Sequence, residues 1–347
     1  MKLLIRADAN NFIATGHVMR CISIARAAIK KGHEVKFVVA DLDSELLLKK
    51  YGMTYICLHT TWNNMDGEID KVSGVISGEK PDCVLVDSYY VTEKYLSALR
   101  LLCKVAYIDD LDMFVYPCDI LICYANYYKK FHYEEKYPST TQLLLGGDYA
   151  PLREEYSGIN GKTINKEVKD VLILSGGTDR FSFIKNFLRT IVDRPVWGDI
   201  HLTVICGMYN EDYNGLVDKY NKSNNISIFK AVDNIHEYMQ RTDVCVSAAG
   251  TTLYELCASG TPTVCYTLAD NQLDNAVSFD ETRTVIYAGD IREDNALEKI
   301  VNETEKIIHD YDERCQMSEK MRKLIDGNGA KKIVDKIQES VERGKEK

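Results

Sequence analysis

Short apolar runs alternate with amphipathic segments through the first part of this 347-residue chain, and this alternation limits the fold more than any other feature. Runs that are apolar throughout are typical of parallel strands covered on both faces of a sheet. Apolar residues at helical spacing from His17 to Lys31, ended by Gly32, predict the first connecting helix, and another helix runs through Leu46–Leu48. The runs that predict strands are Leu3–Ile5, Val35–Val39, Thr54–Leu58, Val84–Val86, Val105–Ile108 and Ile120–Ile122.

The alternation breaks between about Tyr124 and Lys169 and then starts again. The later strands are predicted at Val171–Leu174, Leu202–Ile205, Ile226–Ile228, Val244–Val246 and Thr263–Tyr266. Because the chain is too long for one compact core, two α/β domains are expected. We predict a Rossmann-like domain at 1–156, a linker at 157–168, a second Rossmann-like domain at 169–330, and a C-terminal helix at 331–347 with an end that frays from about Glu342.

The composition and the net charge indicate the cellular location of the protein and the class of partner that it does not bind. Hydrophobic residues make up 45% and charged residues 27%, which is ordinary for a globular protein. No apolar run reaches the length of a membrane span, and the apolar start at Met1–Ile5 is too short for a signal peptide. We therefore predict a cytoplasmic protein without stable membrane insertion. The net charge of −9 argues against nucleic acid as a partner, and the pattern makes no prediction of oligomeric state.

The eleven cysteines are an odd number and form no Cys-x-x-Cys pair. Many lie inside apolar runs, as Cys83 and Cys206 do. Reduced, buried thiols are therefore favoured over a zinc site or a disulfide framework.

The first strand-to-helix turn holds the most informative polar residues. Ligands of open parallel sheets bind at the carboxyl ends of the strands, where this turn is expected. His17 would lie at the start of the helix, whose positive dipole end disfavours the imidazolium, so that a neutral imidazole is available as a general base. Asp8 would orient or polarise it. Alternatively, His17 only caps the helix or packs under the loop.

Two further turns follow predicted strands of the second half. Ser175–Asp179 contains two glycines that either bring backbone N–H groups to an anion or simply form a tight turn, with Asp179 capping a helix. Ser247–Thr252 predicts an open helix start whose N–H groups hold a diphosphate, with Glu255 one turn later to bind ribose hydroxyls or to stabilise the helix. The amides of Asn271 and Gln272 suit sugar hydroxyl or acetamido groups.

Several common motifs are missing from the sequence. There is no P-loop, no Gly-x-Gly-x-x-Gly in the first turn and no His-Glu-x-x-His. The acidic run Asp109–Asp112 could bind a metal, but a helix cap or loop acid is favoured. We predict neither a cofactor nor a metal.

These motifs, in this order over about residues 1–280, resemble the UDP-2,4-diacetamido-2,4,6-trideoxy-β-L-altropyranose hydrolase family of pseudaminic acid biosynthesis. The resemblance rests on Arg6–Asp8 with Thr15–Cys21, Leu145–Tyr156, Gly176–Asp179, Ser247–Gly250 with Glu255, and Asn271–Gln272. That family is similar in fold to GT-B glycosyltransferases of the MurG type. The resemblance therefore implies two Rossmann-like domains facing across a cleft, with the tail after about Asn295 either returning to the first domain or adding a separate surface.

The resemblance also implies the chemistry. Water would attack the anomeric carbon with inversion and loss of UDP, activated by His17 together with Asp8. The segment around Val232–Ile235 would hold uracil through backbone groups, Ser247–Thr251 the diphosphate, and Glu255 the ribose. The implied substrate contacts are Arg6, Gly16, Arg20, Tyr149, Arg153, Gly176, Gly177, Thr178, Val232, Ile235, Ser247, Ala248, Ala249, Gly250, Thr251, Glu255, Asn271 and Gln272.

Two other functions use the same features. A glycosyltransferase with a UDP-sugar donor and a polysaccharide or lipid-linked acceptor would share the scaffold, and a noncatalytic nucleotide-sugar binding protein would share the nucleotide site. The presence of both His17 and Asp8 favours an enzyme.

Overall fold

The computed structural model describes residues 1–159 and 161–345, and it divides into two compact units. The first unit comprises residues 1–154 together with 327–347, and the second comprises residues 155–326. Most of the segment 157–168, predicted as a linker, is described as part of the second unit. Asn160 in that segment, and Glu346 and Lys347 at the predicted frayed end, lie outside the described residues.

The first unit is built on a seven-stranded parallel sheet with the order β3-β2-β1-β4-β5-β6-β7. Its central strands are buried along their whole length, which explains why they are apolar except for Asp87 at the end of β4. The strands are β1 (Lys2–Ala7), β2 (Glu34–Val39), β3 (Tyr55–Cys57), β4 (Cys83–Asp87), β5 (Lys104–Ile108), β6 (Ile120–Cys123) and β7 (Gln142–Leu145).

Helices join these strands and cover the sheet. The longest of them starts at Gly16, one residue before His17, and ends two residues before Gly32, as its apolar spacing predicts. The helices are α1 (Gly16–Lys30), α2 (Glu45–Lys50), α3 (Ile69–Glu79), α4 (Glu93–Arg100) and the short α5 (Tyr133–Lys136).

The strand order places a topological switch point in the middle of this sheet. β1 pairs with β2 on one side and with β4 on the other, so the chain leaves β1 and β3 in opposite directions across the sheet. In open α/β sheets, ligands bind outside the carboxyl ends of the strands at such a point. The loops that follow β1 and β4 therefore form the expected site of the first unit.

The second unit repeats the architecture with a six-stranded parallel sheet in the order β10-β9-β8-β11-β12-β13. Its strands are β8 (Asp170–Leu174), β9 (His201–Cys206), β10 (Ile226–Lys230), β11 (Val244–Ala248), β12 (Thr263–Thr267) and β13 (Ile286–Asp290). Its helices are α6 (Phe183–Ile191), α7 (Tyr213–Tyr220), α8 (Ile235–Arg241), α9 (Thr252–Ser259), α10 (Leu273–Glu281), α11 (Ala296–His309) and α12 (Tyr311–Leu324).

The last helix, α13 (Gly329–Lys345), belongs to the first unit. It packs beside α1 and places Ile333, Val334 and Ile337 in the core under one face of the sheet. Its first residue, Gly329, comes so close to the 147–150 turn that a Cβ atom would lie 2.1 Å from the carbonyl oxygen of Ala150. Of the two alternatives for the tail, the structure therefore shows the return to the first domain.

Three details differ from the sequence prediction. No strand was predicted between residues 124 and 169, but this stretch contains β7. β7 is a short edge strand in which only Leu144 is fully buried. β13 at the edge of the second sheet was also missed, and it too is mostly half-buried. Both strands contain a short apolar run, Leu143–Leu145 and Ile286–Ala288, but periodicity alone does not distinguish such a run from a helix or loop segment. Finally, α13 stays helical from Glu342 to Lys345, where fraying was predicted.

The cysteines are all free thiols, and eight of the eleven are buried. Burial raises the pKa of Cys123 to about 12 and that of Cys206 to about 11, so both remain protonated at neutral pH. They act as small apolar side chains, as the sequence predicts. Among the described helices, none combines the length and apolar character needed to cross a membrane.

Candidate functional site

The loop between β1 and α1 presents His17 at the switch point of the first sheet. The side chain of Asn10 organises this loop, because its carbonyl oxygen accepts hydrogen bonds from the backbone N–H groups of Phe12 (2.8 Å) and Ile13 (3.0 Å). Thr15 directly precedes α1, and its carbonyl oxygen accepts from the N–H of Met19 at 2.9 Å. His17 follows in the first helical turn, where its side chain is 7% exposed.

A buried carboxylate holds the imidazole of His17. Asp87, the last residue of β4, is 1% exposed, and its Oδ1 lies 2.6 Å from Nδ1 of His17. The guanidinium of Arg20 donates to both oxygens of Asp87, from Nε at 2.6 Å and from Nη2 at 2.5 Å. One carboxylate therefore ties together the first turn of α1 and the end of β4.

The charge on Asp87 sets the proton position on His17. Burial by itself would raise the pKa of Asp87, but the positive charge of Arg20 and the contact with His17 hold it well below its usual range. An ionised Asp87 accepts a hydrogen bond from Nδ1–H of His17, which leaves Nε2 as the basic nitrogen. Nη2 of Arg20 also lies 3.1 Å from Nδ1 of His17. We interpret both nitrogens as donors to the same acceptor, Oδ1 of Asp87, and not as a hydrogen-bonded pair.

Two tyrosines and a second carboxylate surround this group. The ring of Tyr89 meets the imidazole of His17 edge-on, with 4.5 Å between the centroids, and its hydroxyl donates to Asp110 at 3.3 Å. Nη1 of Arg20 donates to the hydroxyl of Tyr124 at 2.8 Å. Burial raises the pKa of Asp110, against the opposing effect of Arg20. The site thus holds two carboxylates whose pKa values are shifted in opposite directions, a feature found in acid–base sites.

Asp8 does not orient His17, contrary to the sequence prediction. Its Oδ2 accepts from Nη1 of Arg6 at 2.5 Å, and its Oδ1 accepts from the backbone N–H of Ala40 at 2.8 Å. Arg6 and Asp8 are two positions apart, so their side chains leave the strand end on the same side, where opposite charges attract. Asp87 contacts His17 instead.

Arg6 is likewise unsuited to the direct substrate contact that was predicted for it. Its side chain is fully buried, and it also donates to Glu68 from Nε at 2.7 Å and from Nη2 at 3.0 Å. Glu68 in turn accepts from the hydroxyls of Tyr95 and Thr60, each at 2.9 Å. This network fixes the strand end and the neighbouring loops behind the site, because a buried charge must keep its partners.

Glu68→Ala should destabilise the first unit strongly. It removes both hydrogen bonds to Nε and Nη2 of Arg6 and leaves a buried guanidinium short of partners, which costs on the order of 3–5 kcal/mol of unfolding free energy. Urea unfolding followed by circular dichroism measures the loss. Glu34→Ala is the matched control, because Glu34 pairs with Lys2 at the surface with 60% of its side chain exposed, and it should change the unfolding free energy little. Equal effects of both variants would contradict the prediction.

In the second unit, the turn after β8 is tight and closely packed. Gly207, after β9, lies so near it that a Cβ atom there would be 2.2 Å from the carbonyl oxygen of Gly176 and 2.4 Å from that of Gly177. Asp179 accepts from the backbone N–H groups of Phe183 (2.8 Å) and Ile184 (3.3 Å) at the start of α6. For Asp179, the alternative of a helix-capping residue is therefore the one that the structure shows.

The turn from β11 to α9 was predicted to bind a diphosphate. Part of its predicted donor set is already used within the protein: the N–H of Ala249 donates to Tyr266 at 2.8 Å and that of Gly250 to Ala248 at 2.9 Å. Ser247 is 1% exposed, and its hydroxyl donates to the carbonyl oxygen of Ala248. Thr251 is exposed at the start of α9. The N–H groups of Leu253 and Tyr254 also donate within the turn, to the carbonyl oxygens of Gly250 and Thr251 at 3.1 Å each. The hydroxyls of Thr251 and Thr252 and the positive end of the helix dipole are then the features of this turn that suit an anion.

A neighbouring amide cluster supports this turn. Asn275 donates to the carbonyl oxygens of Ala249 (3.2 Å) and Gly250 (3.3 Å) and accepts from the hydroxyl of Tyr254 at 3.0 Å. Gln272 anchors its own loop by accepting from the N–H of Leu268 at 3.0 Å. Its amide nitrogen lies 3.9 Å from where a Cβ on Gly250 would stand, so the predicted Asn271–Gln272 loop lies next to the predicted diphosphate turn.

Most predicted residues of the second unit lie at one edge of its sheet. They follow the carboxyl ends of β8, β10, β11 and β12, with Val232 and Ile235 leading into α8 and Glu255 in the first turn of α9. The structure brings the β11 and β12 loops into contact, as described above.

Two other residues predicted as substrate contacts, Tyr149 and Arg153, lie in the segment that follows β7. Tyr149 packs, partly buried, against the core to which α1 and α13 contribute. Arg20 belongs to the group of side chains around His17, and Gly16 begins the helix that carries it.

Asp87 and Tyr89 were not predicted as site residues, and Asp110 was noted in the sequence only as part of the Asp109–Asp112 run. A signal for two of them was present, since each acid directly ends or follows a predicted strand: Asp87 comes after Val84–Val86, and Asp110 lies two residues after Ile108. The carboxyl ends of adjacent parallel strands meet at one edge of a sheet.

The sequence of the Asp109–Asp112 run allowed either a metal site or a helix cap or loop acid. Asp109 accepts from the N–H groups of Leu111 (3.0 Å) and Asp112 (3.1 Å) and from the hydroxyl of Tyr133. It is therefore a loop acid, the interpretation that was favoured. Within residues 1–159 and 161–345, no group of three or more histidine, cysteine or acidic side chains has an arrangement that could hold a metal ion.

Comparison with known proteins gives three relatives of interest. The uncharacterised protein MJ1062 of Methanocaldococcus jannaschii is 26% identical over 276 residues, which are 76% of this chain and 55% of that protein. A UDP-2,4-diacetamido-2,4,6-trideoxy-β-L-altropyranose hydrolase of Campylobacter jejuni is 26% identical over 77% of this chain and 92% of its own length. A UDP-N-acetylglucosamine–N-acetylmuramyl-(pentapeptide) pyrophosphoryl-undecaprenol N-acetylglucosamine transferase of Campylobacter fetus is 31% identical over 51% of this chain and 52% of its own. This chain thus spans about half the length of the first and third relatives.

Solved structures extend the likeness to the whole chain. MurG of Acinetobacter baumannii superposes with a TM-score of 0.68 at 14% identity and covers 97% of this chain and 99% of its own. A UDP-GlcNAc 2-epimerase of Neisseria meningitidis bound to UDP-GlcNAc gives a TM-score of 0.69 at 15% identity, covering 98% and 100%. At this identity the likeness concerns the fold.

The family comparison agrees with the architecture. The Glycosyltransferase family 28 C-terminal domain matches residues 171–337, which begin in β8 and end within α13. Residues 171–337 thus resemble the C-terminal domain of glycosyltransferase family 28, and the chain as a whole has the α/β fold, with two parallel sheets, of the GT-B glycosyltransferases.

Proposed function

We propose that this protein is a UDP-sugar hydrolase whose substrate is a UDP-linked 2,4-diacetamido-2,4,6-trideoxy sugar, and that the free sugar serves nonulosonic (pseudaminic) acid synthesis. The observation that carries the proposal is the hydrogen-bonded dyad of His17 and Asp87, which leaves Nε2 of His17 as a base at the switch point of the first sheet. The hydrolase of Campylobacter jejuni, matched over nearly its full length, supports the choice of substrate.

The proposed reaction is a single displacement at the anomeric carbon. Nε2 of His17 accepts a proton from water while the water oxygen bonds to the anomeric carbon, and the bond from that carbon to the diphosphate oxygen breaks. The electron pair leaves with UDP, and the configuration inverts. Asp87 accepts the hydrogen bond from Nδ1–H throughout and stabilises the imidazolium that forms.

The second unit is assigned the nucleotide. The start of α9 and the hydroxyl of Thr251 would stabilise the negative charge on the departing UDP, because helix starts favour anions. Glu255, one turn into α9, would accept hydrogen bonds from the ribose hydroxyls, and the backbone around Val232–Ile235 would hold uracil. The amides of Asn271 and Gln272 are assigned to acetamido or hydroxyl groups of the sugar.

The runner-up is glycosyl transfer to a polysaccharide or lipid-linked acceptor. The observation that favours it is the match of residues 171–337 to a glycosyltransferase domain, together with the transferase of Campylobacter fetus at 31% identity over half the chain. In that case His17 would deprotonate an acceptor hydroxyl instead of water. The nucleotide assignments would stay the same.

The test is direct. Purified protein is incubated with the UDP-linked sugar in EDTA, without any acceptor, and NMR follows the release of UDP and the configuration of the free sugar. We expect stoichiometric UDP and initially inverted sugar. Unhydrolysed substrate in the presence of measurable UDP binding would contradict hydrolysis and favour the transferase, which would then release UDP only when an acceptor extract is added.

A further inference from the structure

Three exposed or half-buried aromatic rings lie together at the sheet edge that carries His17. Phe12 and Trp62 are stacked, with 6.1 Å between ring centroids and 20° between planes, and Tyr90 meets Trp62 edge-on at 5.0 Å. We call Phe12, Trp62 and Tyr90 the aromatic platform. The ring of Phe12 is 87% exposed and that of Tyr90 is 42% exposed. Contiguous apolar surface of this kind is uncommon unless something binds to it.

The platform adjoins the proposed base. Phe12 follows β1, Trp62 follows β3 and Tyr90 follows β4, so all three come from loops at the carboxyl edge of the first sheet. Tyr90 is the chain neighbour of Tyr89, whose ring contacts the imidazole of His17 at 4.5 Å. A ligand on the platform would therefore lie beside His17.

The loop that carries Phe12 is ordered around its exposed ring. Asn10 accepts from the N–H groups of Phe12 and Ile13, and Asn10 and Ala14 form an isolated antiparallel bridge. The loop therefore holds Phe12 outward, stacked on Trp62. Because the loop is already ordered, less conformational entropy is lost when a ligand binds to it.

The polar residues around the rings indicate the class of ligand. Segments 8–16, 60–68 and 87–92, which bear the platform, contain no lysine or arginine, and they are rich in asparagine, serine and threonine. A nucleic acid or an anionic membrane would need cations here. Aromatic faces flanked by amides and hydroxyls suit a neutral pyranose, whose C–H face packs on rings while its hydroxyl and acetamido groups form hydrogen bonds.

We infer that the aromatic platform is a carbohydrate subsite that holds the hexose of the substrate, with its apolar face on Phe12 and Trp62, next to His17. This inference rests on the proposed function and extends it, because it assigns sugar binding to the first unit through residues of this chain's own loops. A 6-deoxy sugar with N-acetyl groups presents more apolar surface to these rings than a fully hydroxylated hexose does.

Fluorine NMR tests the inference on the full-length protein. The chain has two tryptophans, so labelling with 5-fluorotryptophan gives one signal from Trp62 and one from Trp197, which is buried in the second unit. Trp62→Phe assigns the signals. We expect the Trp62 signal to shift saturably with the free 2,4-diacetamido-2,4,6-trideoxy sugar and not with neutral phosphatidylcholine vesicles, while the Trp197 signal stays in place.

Kinetics of variants provide the second readout. Phe12→Ala and Trp62→Ala should raise KM about three- to tenfold with a smaller change in kcat, and Trp62→Phe should restore most of the loss, because an aromatic contact is worth about that factor. UDP affinity should not change. Leu101→Ala is the matched control, since Leu101 is an equally exposed apolar residue (88%) that precedes β5 at the opposite edge of the sheet, and it should leave KM unaltered.

These measurements distinguish a failure of the aromatic platform from a failure of the proposed hydrolysis. Turnover of the UDP-sugar with a Trp62 signal that does not respond to the sugar, or with unchanged KM in both alanine variants, would overturn the platform and leave the hydrolase standing. A sugar-dependent Trp62 signal without UDP release would support the platform and contradict hydrolysis. A Trp62 signal that shifts with vesicles and not with sugar would overturn the inference in favour of a lipid-binding surface.

Discussion

His17→Ala should reduce kcat for UDP release by about 10²- to 10⁴-fold, the usual contribution of a positioned general base. The variant removes the nitrogen that accepts the proton of water and leaves the residues assigned to the nucleotide unchanged. We therefore expect UDP to bind with the same affinity, and UDP release followed by NMR gives the rate. Asp87 keeps Arg20 as its partner, with contacts at 2.5 and 2.6 Å, so the fold should remain intact.

His33 provides the control at the other end of the same helix. It lies just beyond α1 and contacts the N-terminal amino group at 3.2 Å and Gln338 at 3.2 Å. His33→Ala should leave kcat within about twofold of the parent, since no general-base contribution is removed. If His17→Ala kept more than a tenth of the parent kcat while UDP binding was normal, the assignment of His17 as the base would be wrong.

Asp87→Asn should lower kcat by about 10²- to 10⁴-fold as well, for a different reason. The amide keeps the size of the side chain but loses the charge that orients Nδ1–H of His17 and stabilises the imidazolium. It can also donate to Nδ1, which would place the proton on Nε2 and abolish the base. Rates of UDP release between about pH 6 and 9 test this, because the lowered pKa keeps Asp87 ionised in the parent over that whole range.

Asp82→Asn is the matched control, because Asp82 precedes the same strand at its opposite end and accepts from the N–H of Lys2 at 2.7 Å. Its kcat should stay close to that of the parent. A fully active Asp87→Asn variant with unaltered unfolding free energy would show that the charge of Asp87 is not needed for catalysis, and it would remove the main support for the proposed hydrolysis.

The architecture could be predicted from sequence to a large extent. Strands buried on both faces, such as β4 and β8, have a continuous apolar run with an aspartate only at one end, and α1 has a clear apolar stripe, so local periodicity was enough to find them. The edge strands β7 and β13 were missed although each contains a short apolar run, because such a run does not by itself distinguish a strand from other structure. His17 was found because it lies in the first turn after the first strand, where an α/β fold binds its ligands.

The partner of His17 could be decided only by the tertiary structure. Asp87 lies 70 residues further along the chain, and it reaches His17 because β4 pairs with β1 in the sheet. Strand order is not encoded in the periodicity of any one strand. Asp8, nine residues before His17, looked like the better choice, but Arg6 on the same side of the strand end holds its carboxylate.

The aromatic platform, too, could be recognised only from the tertiary structure. Phe12, Trp62 and Tyr90 come from three separate loops, each unremarkable by itself, and they meet because β1, β3 and β4 end at one edge of a single sheet. The sequence by itself determined which segments form strands and helices, since burial and backbone geometry act over a few residues. Which side chains meet at the site was decided by strand order and by competition among nearby charges, which act across the whole fold.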